Sequence, residues 1–229
     1  MATAYRSFTL LQWCFYYFNQ FLVRVVWRAT VPKQFPLGPG KGAVVICNHR
    51  SSIDPCIVQV AARRRLVHWL VAQLYPPKSL IGRMLALFET IPVRREGNDV
   101  SPLKAAFRMA EEGHLVGMLP EGTINTTDEF MMPVRPGAVV VALRSRVPVL
   151  PCYLEGVPYH KILWRPVFMP ARVKLVIGDP IDLSEYWGRE RDAELIARLT
   201  LECVQEIAKL AGREDFQPQI AGREWKTWK

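Results

Sequence analysis

From residue 42 onward, short apolar runs alternate with stretches of helical periodicity, and this alternation constrains the fold more than any other feature of the chain. The runs at 43–47, 67–71, 115–119, 147–154 and 173–177 have the length and apolar content of buried strands. Helical stretches stand at 78–88, 101–112, 137–144 and 190–211. In 101–112, Ser101 is placed as N-cap, Pro102 in the first turn and Gly113 past the end. In 190–211, Ile196, Leu199, Cys203, Ile207 and Leu210 share one face, and Gly212 closes the helix. Strands and helices in this order predict an α/β domain with a mixed, largely parallel sheet flanked by helices. A chain of 229 residues buries enough surface to fold without disulfides or a structural metal. Its five cysteines (Cys14, Cys47, Cys56, Cys152, Cys203) are dispersed and form no C-x-x-C pair, which fits a reducing compartment and gives no zinc site.

Four regions are expected: a membrane-associating segment at 1–31, a Pro/Gly linker at 32–41, a catalytic-size domain at 42–211 and a basic tail at 212–229. On a helical wheel, Thr9, Gln12, Asn19, Gln20, Arg24 and Arg28 fall within one half of the circumference. Phe8, Leu11, Phe15, Phe18, Leu22, Val25 and Val26 occupy the other half. Trp13, Tyr16, Tyr17 and Trp27 lie within or beside the polar half, as amphipathic rings do at a membrane–water boundary. The pattern favours an interfacial helix or bent helix pair over a helix docked on the core. A secretory signal is disfavoured, because no A-x-A-like site follows the apolar run. In the tail, Trp225 and Trp228 read equally as a second interfacial contact or as a disordered end. Thirty Lys and Arg against 21 Asp and Glu give a net charge of +9, which suits an anionic partner. Nucleic acid is disfavoured: Arg63, Arg64 and Arg65 read as a solvated helix end, and no motif of that class is present.

The strongest local signal is the run Asn48-His49-Arg50-Ser51-Ser52-Ile53-Asp54-Pro55. His49 and Asp54 are five residues apart, and neither a continuous helix nor a continuous strand brings that pair together. A turn does, and the run supplies one between an apolar strand and a helix that starts at Pro55, with Asp54 placed as N-cap. A carboxylate there can fix the imidazole tautomer and leave the other ring nitrogen as a general base; the plainer reading is a cap and an ordinary turn histidine. Pro120-Glu121-Gly122-Thr123 follows the apolar run 115–119, at a strand's carboxyl end, where open α/β sheets bind ligands. Arg94 and Arg95 follow the short apolar piece 90–93, and an arginine at a strand end can hold a phosphate bidentately.

Taken together, these segments resemble the glycerolipid acyltransferase family, typified by the 1-acyl-glycerol-3-phosphate acyltransferases. The family's N-H-x-S-x-x-D block is met by Asn48, His49, Ser51 and Asp54, and its second block ends in an arginine met by Arg94. The P-E-G-T block is met by Pro120, Glu121, Gly122 and Thr123, with Leu119 in place of the usual aromatic, and the V-P-x-x-P piece by Val147, Pro148 and Pro151. The resemblance covers roughly residues 40–180. Two positions depart from it: Ile124 stands where an arginine usually follows, and Gln73 aligns with a frequent lysine.

The resemblance implies transfer of a fatty acyl group from acyl-CoA or acyl carrier protein to a hydroxyl of a lysophospholipid, in phospholipid biosynthesis. His49 and Asp54 would be the catalytic pair, and Arg94, Glu121, Gly122 and Thr123 would bind the acceptor. No metal or cofactor is expected. Glu121 would hold a glycerol hydroxyl or pair with Arg94, and backbone N–H groups near the helix at Pro55 would stabilise the oxyanion. Ser51 or Ser52 is a weaker candidate nucleophile, since neither lies in a G-x-S-x-G elbow. A cytoplasmic-face, peripheral or monotopic membrane location follows. Another lipid acceptor, or a non-catalytic membrane-surface protein on the same scaffold, is the alternative; the presence of both His49 and Asp54 disfavours the latter.

Overall fold

The computed structural model describes residues 8–74, 76, 78–94 and 100–222. These form a six-stranded sheet: β1 (Ala43–Cys47), β2 (Val67–Ala72), β3 (Ile91–Val93), β4 (Leu115–Met118), β5 (Val149–Glu155) and β6 (Lys174–Ile177). The spatial order is β3-β2-β4-β1-β5-β6. The first five run parallel, and β6 is antiparallel to β5. The expected mixed, largely parallel sheet is therefore present. Helices α1 (Leu10–Phe21), α2 (Asp54–Ala62), α3 (Leu80–Leu87), α4 (Ser101–Glu111), α5 (Gly137–Ser145) and α6 (Ala193–Leu210) surround it.

β1 lies in the middle and every residue of it is buried. Strand alternation sends Val44 and Ile46 into a cluster with α4, α5 and α6, and Ala43, Val45 and Cys47 into another with α2 and the chain after α1. The result is three layers with a core on each side of the sheet. Where β2 meets β4, Gly117 faces Trp69, and a Cβ on Gly117 would lie 2.4 Å from the indole. Glycine is needed there because the ring occupies the space.

The N-terminal segment is where the structure departs most from the helical wheel. α1 starts with a capping box between Thr9 and Gln12 and runs into a π-helical turn at Leu22–Val26. Gln12, Asn19 and Gln20, assigned to a wetted face, are buried against the protein. Gln12 Nε2 donates to Leu87 O at 3.0 Å and Asn19 Nδ2 to Cys56 O at 2.8 Å. Leu10 and Leu11 are 82% and 57% exposed, and Tyr17, Phe18, Phe21 and Val25 are exposed with them. The helix thus docks on the domain by its polar side and turns its apolar side outward. The two readings weighed for it, docked and lipid-facing, are compatible because the buried Gln12 and Asn19 amide groups donate to carbonyls of the domain. Among the described residues no helix is long and apolar enough to cross a membrane.

The structure adjusts two other expectations. Arg63-Arg64-Arg65 does end α2, with Arg63 and Arg64 exposed, but the run is also engaged: Arg63 donates to Lys33 O, Arg65 to Gly38 O at 3.0 Å, and Arg64 stacks over Trp13. The arginines strap the Pro/Gly segment 32–41, whose backbone makes few ladder bonds of its own. Ser101 is the first residue of α4, and Val100 is its cap. The tail from 212 to 222 folds back, with Val134 N donating to Gln219 O at 2.7 Å, while Trp225 and Trp228 lie outside the described residues.

Candidate active site

Because β3, β2, β4, β1 and β5 are parallel, the residues that follow each of them emerge on one edge of the sheet. That edge carries Arg94, Gln73, the 120–123 turn, His49 and the segment after β5. The chain leaves β1 at Asn48, whose side chain continues the ladder: Nδ2 donates to Leu154 O at 2.9 Å and Oδ1 accepts from Leu154 N at 2.8 Å. This buried pair fixes where the strand stops and the turn begins.

His49 and Asp54 meet across that turn. Nδ1 of His49 lies 2.9 Å from Asp54 Oδ2, and the same oxygen accepts from Arg50 N at 2.8 Å and Ser51 N at 2.9 Å. Asp54 is fully buried, and three donors converging on one oxygen offset the cost of burying its charge. It is the first residue of α2 rather than its cap; Ile53 is the cap, and the carboxylate points back to hold the preceding turn. A carboxylate accepts only, so the proton between the two groups sits on Nδ1 and the lone pair on Nε2. The histidine side chain is 14% exposed, enough for a substrate to reach one edge of the ring.

The turn after β4 clamps His49 by its backbone. Glu121 Oε1 accepts from His49 N at 2.7 Å, Glu121 Oε2 accepts from Met132 N at 2.9 Å, and Asn125 N donates to His49 O at 2.7 Å. Burial pushes the Glu121 carboxyl up to about 7, against the lowering effect of the Met132 and His49 N–H groups. The expectation that Glu121 meets the acceptor or Arg94 is therefore corrected: both oxygens are turned inward onto backbone donors. Gly122 takes φ +71° and closes the turn, with its N–H on Leu119 O at 2.9 Å. Thr123 is half-buried beside it. Asn125, which the sequence reading missed, is buried and organises the loop 125–129 through Thr127 and Glu129. Its signal was weak, since Asn in a polar loop has no characteristic spacing.

Arg94 and Gln73 stand at the ends of adjacent strands, and Arg94 Nε donates to Gln73 Oε1 at 3.2 Å. Three strand steps of about 4.8 Å place the β3 end about 14 Å from the β1 end. Arg95 lies outside the described residues. Of the backbone N–H groups near Pro55, those of Arg50 and Ser51 donate to Asp54, that of Asp54 to Ser51 O, and those of Cys56 and Ile57 to Ile53 O. Neither candidate serine is bonded to His49. Ser52 Oγ donates to Leu163 O at 2.5 Å, and Ser51 Oγ is buried with no partner. The five cysteines are free thiols.

The arrangement is a partly accessible histidine oriented by a buried carboxylate, at the mouth of a sheet edge with an arginine across it. The chain is 27% identical over 174 residues to a 1-acyl-sn-glycerol-3-phosphate acyltransferase of Bacillus subtilis, covering 76% of this chain and 83% of that one. A protein of the same name from Limnanthes douglasii is 31% identical over 158 residues, covering 64% of this chain and 52% of that one. The crystal structure of the 1-acyl-sn-glycerophosphate acyltransferase PlsC of Thermotoga maritima shares the fold, with a TM-score of 0.59 and 21% identity over 82% of this chain and 77% of that one. The Acyltransferase family model matches residues 23–155, a span that takes in β1 to β5 and both of the turns that meet at His49. The chain belongs to the Acyltransferase family.

Proposed function

We propose that this acyltransferase moves a fatty acyl group from the thioester of acyl-CoA or acyl carrier protein to the free hydroxyl of 1-acyl-glycerol-3-phosphate, as a step of phospholipid biosynthesis. The observation that carries the reading is the His49 Nδ1–Asp54 Oδ2 contact of 2.9 Å, with Oδ2 also anchoring the turn. The relatives' names supply the acceptor.

His49 Nε2 takes the hydroxyl proton as the oxygen attacks the thioester carbonyl. The imidazolium that forms is stabilised by Asp54, which stays ionised and keeps the ring in one tautomer. Collapse of the tetrahedral intermediate breaks the C–S bond, and the proton passes from His49 to the departing thiolate. The acceptor is itself the nucleophile, so no acyl-enzyme forms, and the chemistry invokes no metal or cofactor. Asn48, Glu121 and Asn125 are positioning residues for His49. Gln73 holds Arg94 through Nε, which leaves the two terminal nitrogens of the guanidinium for the acceptor phosphate. Gly122 and Thr123 line the space between.

The exposed apolar side of α1 supports a peripheral or monotopic location on an anionic, cytoplasmic membrane face, where a lysophospholipid resides. A competition assay with equal lysophosphatidate, lysophosphatidylglycerol and monoacylglycerol, offered each acyl donor in turn, tests the reading. Phosphatidate is the expected product. Exclusive use of monoacylglycerol, unchanged in Arg94→Ala, would overturn the acceptor assignment.

A further inference from the structure

The segment between β5 and β6 carries an apolar display that the fold does not require. Residues 159–168 read YHKILWRPVF and contain no acidic residue; His160, Lys161 and Arg165 are their basic members. Trp164 is 57% and Phe168 63% exposed, and Tyr159 and Ile162 are exposed beside them. Pro166 is buried and Val167 packs on the core, so the segment is anchored through these two adjacent residues while the rings on either side stay out. Arg165 N donates to Ile162 O, Val167 N to Trp164 O and Met169 N to Pro166 O, each at 3.1–3.2 Å. The display is therefore preformed.

Its position ties it to the catalytic turn and to α1. Leu163 O accepts from Ser52 Oγ, two residues before Asp54, and Cys56 O accepts from Asn19 of α1, two residues after it. Trp27 Nε1 donates to Pro166 O at 3.2 Å and Ala171 N to Val26 O at 3.2 Å, so the segment abuts the turn that ends the lipid-facing helix. Isolated exposed apolar residues are ordinary, whereas a preformed aromatic cluster flanked only by cations is not.

We propose that residues 159–168 are a second bilayer contact, which with α1 straddles the His49 turn and seats the site on an anionic lipid surface from two sides. Indole and phenyl rings enter the interfacial layer while Lys161 and Arg165 meet lipid phosphates. The inference rests on the membrane reading made for α1 above. Charge complementarity and continuity with that face select a bilayer over a protein partner.

The test uses the full chain with vesicles of phosphatidylglycerol and phosphatidylcholine in equal parts. It compares wild type, the double variant Trp164→Ser/Phe168→Ser, and Leu11→Ser/Phe18→Ser in α1. Loss of two interfacial rings should lower vesicle partitioning by about tenfold. Turnover of a short-chain, monomeric lysophosphatidate should be unchanged, because neither side chain touches His49 or Asp54. Partitioning of the 164/168 variant equal to wild type, with the α1 variant released, would overturn this inference and leave the membrane reading standing. No vesicle binding by wild type would overturn both. Loss of monomeric turnover along with binding would show that the rings merely support the Ser52 turn, and so would overturn it. Unchanged vesicle binding with impaired use of acyl carrier protein would overturn it in favour of a protein-docking face.

Discussion

Glu121 links the turn after β4 to the turn after β1, and replacing it separates stability from catalysis. Its two oxygens accept from His49 N at 2.7 Å and Met132 N at 2.9 Å. Alanine leaves both donors buried without an acceptor, at about 1–3 kcal/mol each. Against this, burial raises the carboxyl from 4.5 to about 7. The unfolded chain loses this proton first as pH rises, so folded Glu121 contributes less stability with each step from 4.5 to 7 and a constant amount beyond. That interval corresponds to about 3 kcal/mol. Glu121→Ala has no such titration. Urea unfolding should therefore show a deficit of the variant that is largest below pH 4.5 and shrinks by about 3 kcal/mol above pH 7. Catalysis should not recover in parallel. Glu121→Gln accepts one N–H and sets its own NH₂ against the other, which shifts the His49 backbone. A displacement of this kind costs on the order of 10²-fold in rate. A stability deficit independent of pH, or wild-type turnover in folded Glu121→Gln, would refute the reasoning.

Asp54→Asn keeps an acceptor for Arg50 and Ser51 but loses the charge that stabilises the imidazolium. Turnover should fall roughly 10²–10⁴-fold, while chemical denaturation should show a smaller stability loss than for Asp54→Ala, which strands three donors. Gly117→Ala drives a methyl to 2.4 Å from Trp69 and should cost about 3 kcal/mol in urea unfolding, with partial recovery in the Trp69→Leu background. Arg94→Ala should weaken lysophosphatidate use about 10–200-fold, whereas Gln73→Leu should weaken it only about fivefold, by freeing the guanidinium it orients. Both are read in kcat/KM against acceptor concentration.

The α/β architecture was legible because β1, β4 and β5 are short apolar runs bounded by turns, and their burial follows from that pattern alone. The His49–Asp54 pairing was legible from spacing, since only a turn brings the two together. What the sequence did not show depends on the tertiary partner. Gln12 and Asn19 are polar on any wheel, and only the placement of the Leu87 and Cys56 carbonyls makes a polar face the docking side. Glu121 looked like a ligand group because a carboxylate at a strand end commonly is one. Its commitment to His49 N–H arises from β4 lying beside β1, a neighbour relation that no local pattern encodes. Asp54 likewise read as a cap for the helix ahead, whereas its donors come from the turn behind.

The central claim is that His49 Nε2 removes the acceptor's proton. Single-turnover acyl transfer to lysophosphatidate by purified, folded His49→Ala, followed by mass analysis of the product, tests it most directly. The account predicts a rate about 10²–10⁴-fold below wild type, with vesicle binding unchanged and the fold retained, since buried Asp54 keeps two of its three donors. Wild-type turnover in that variant would contradict it.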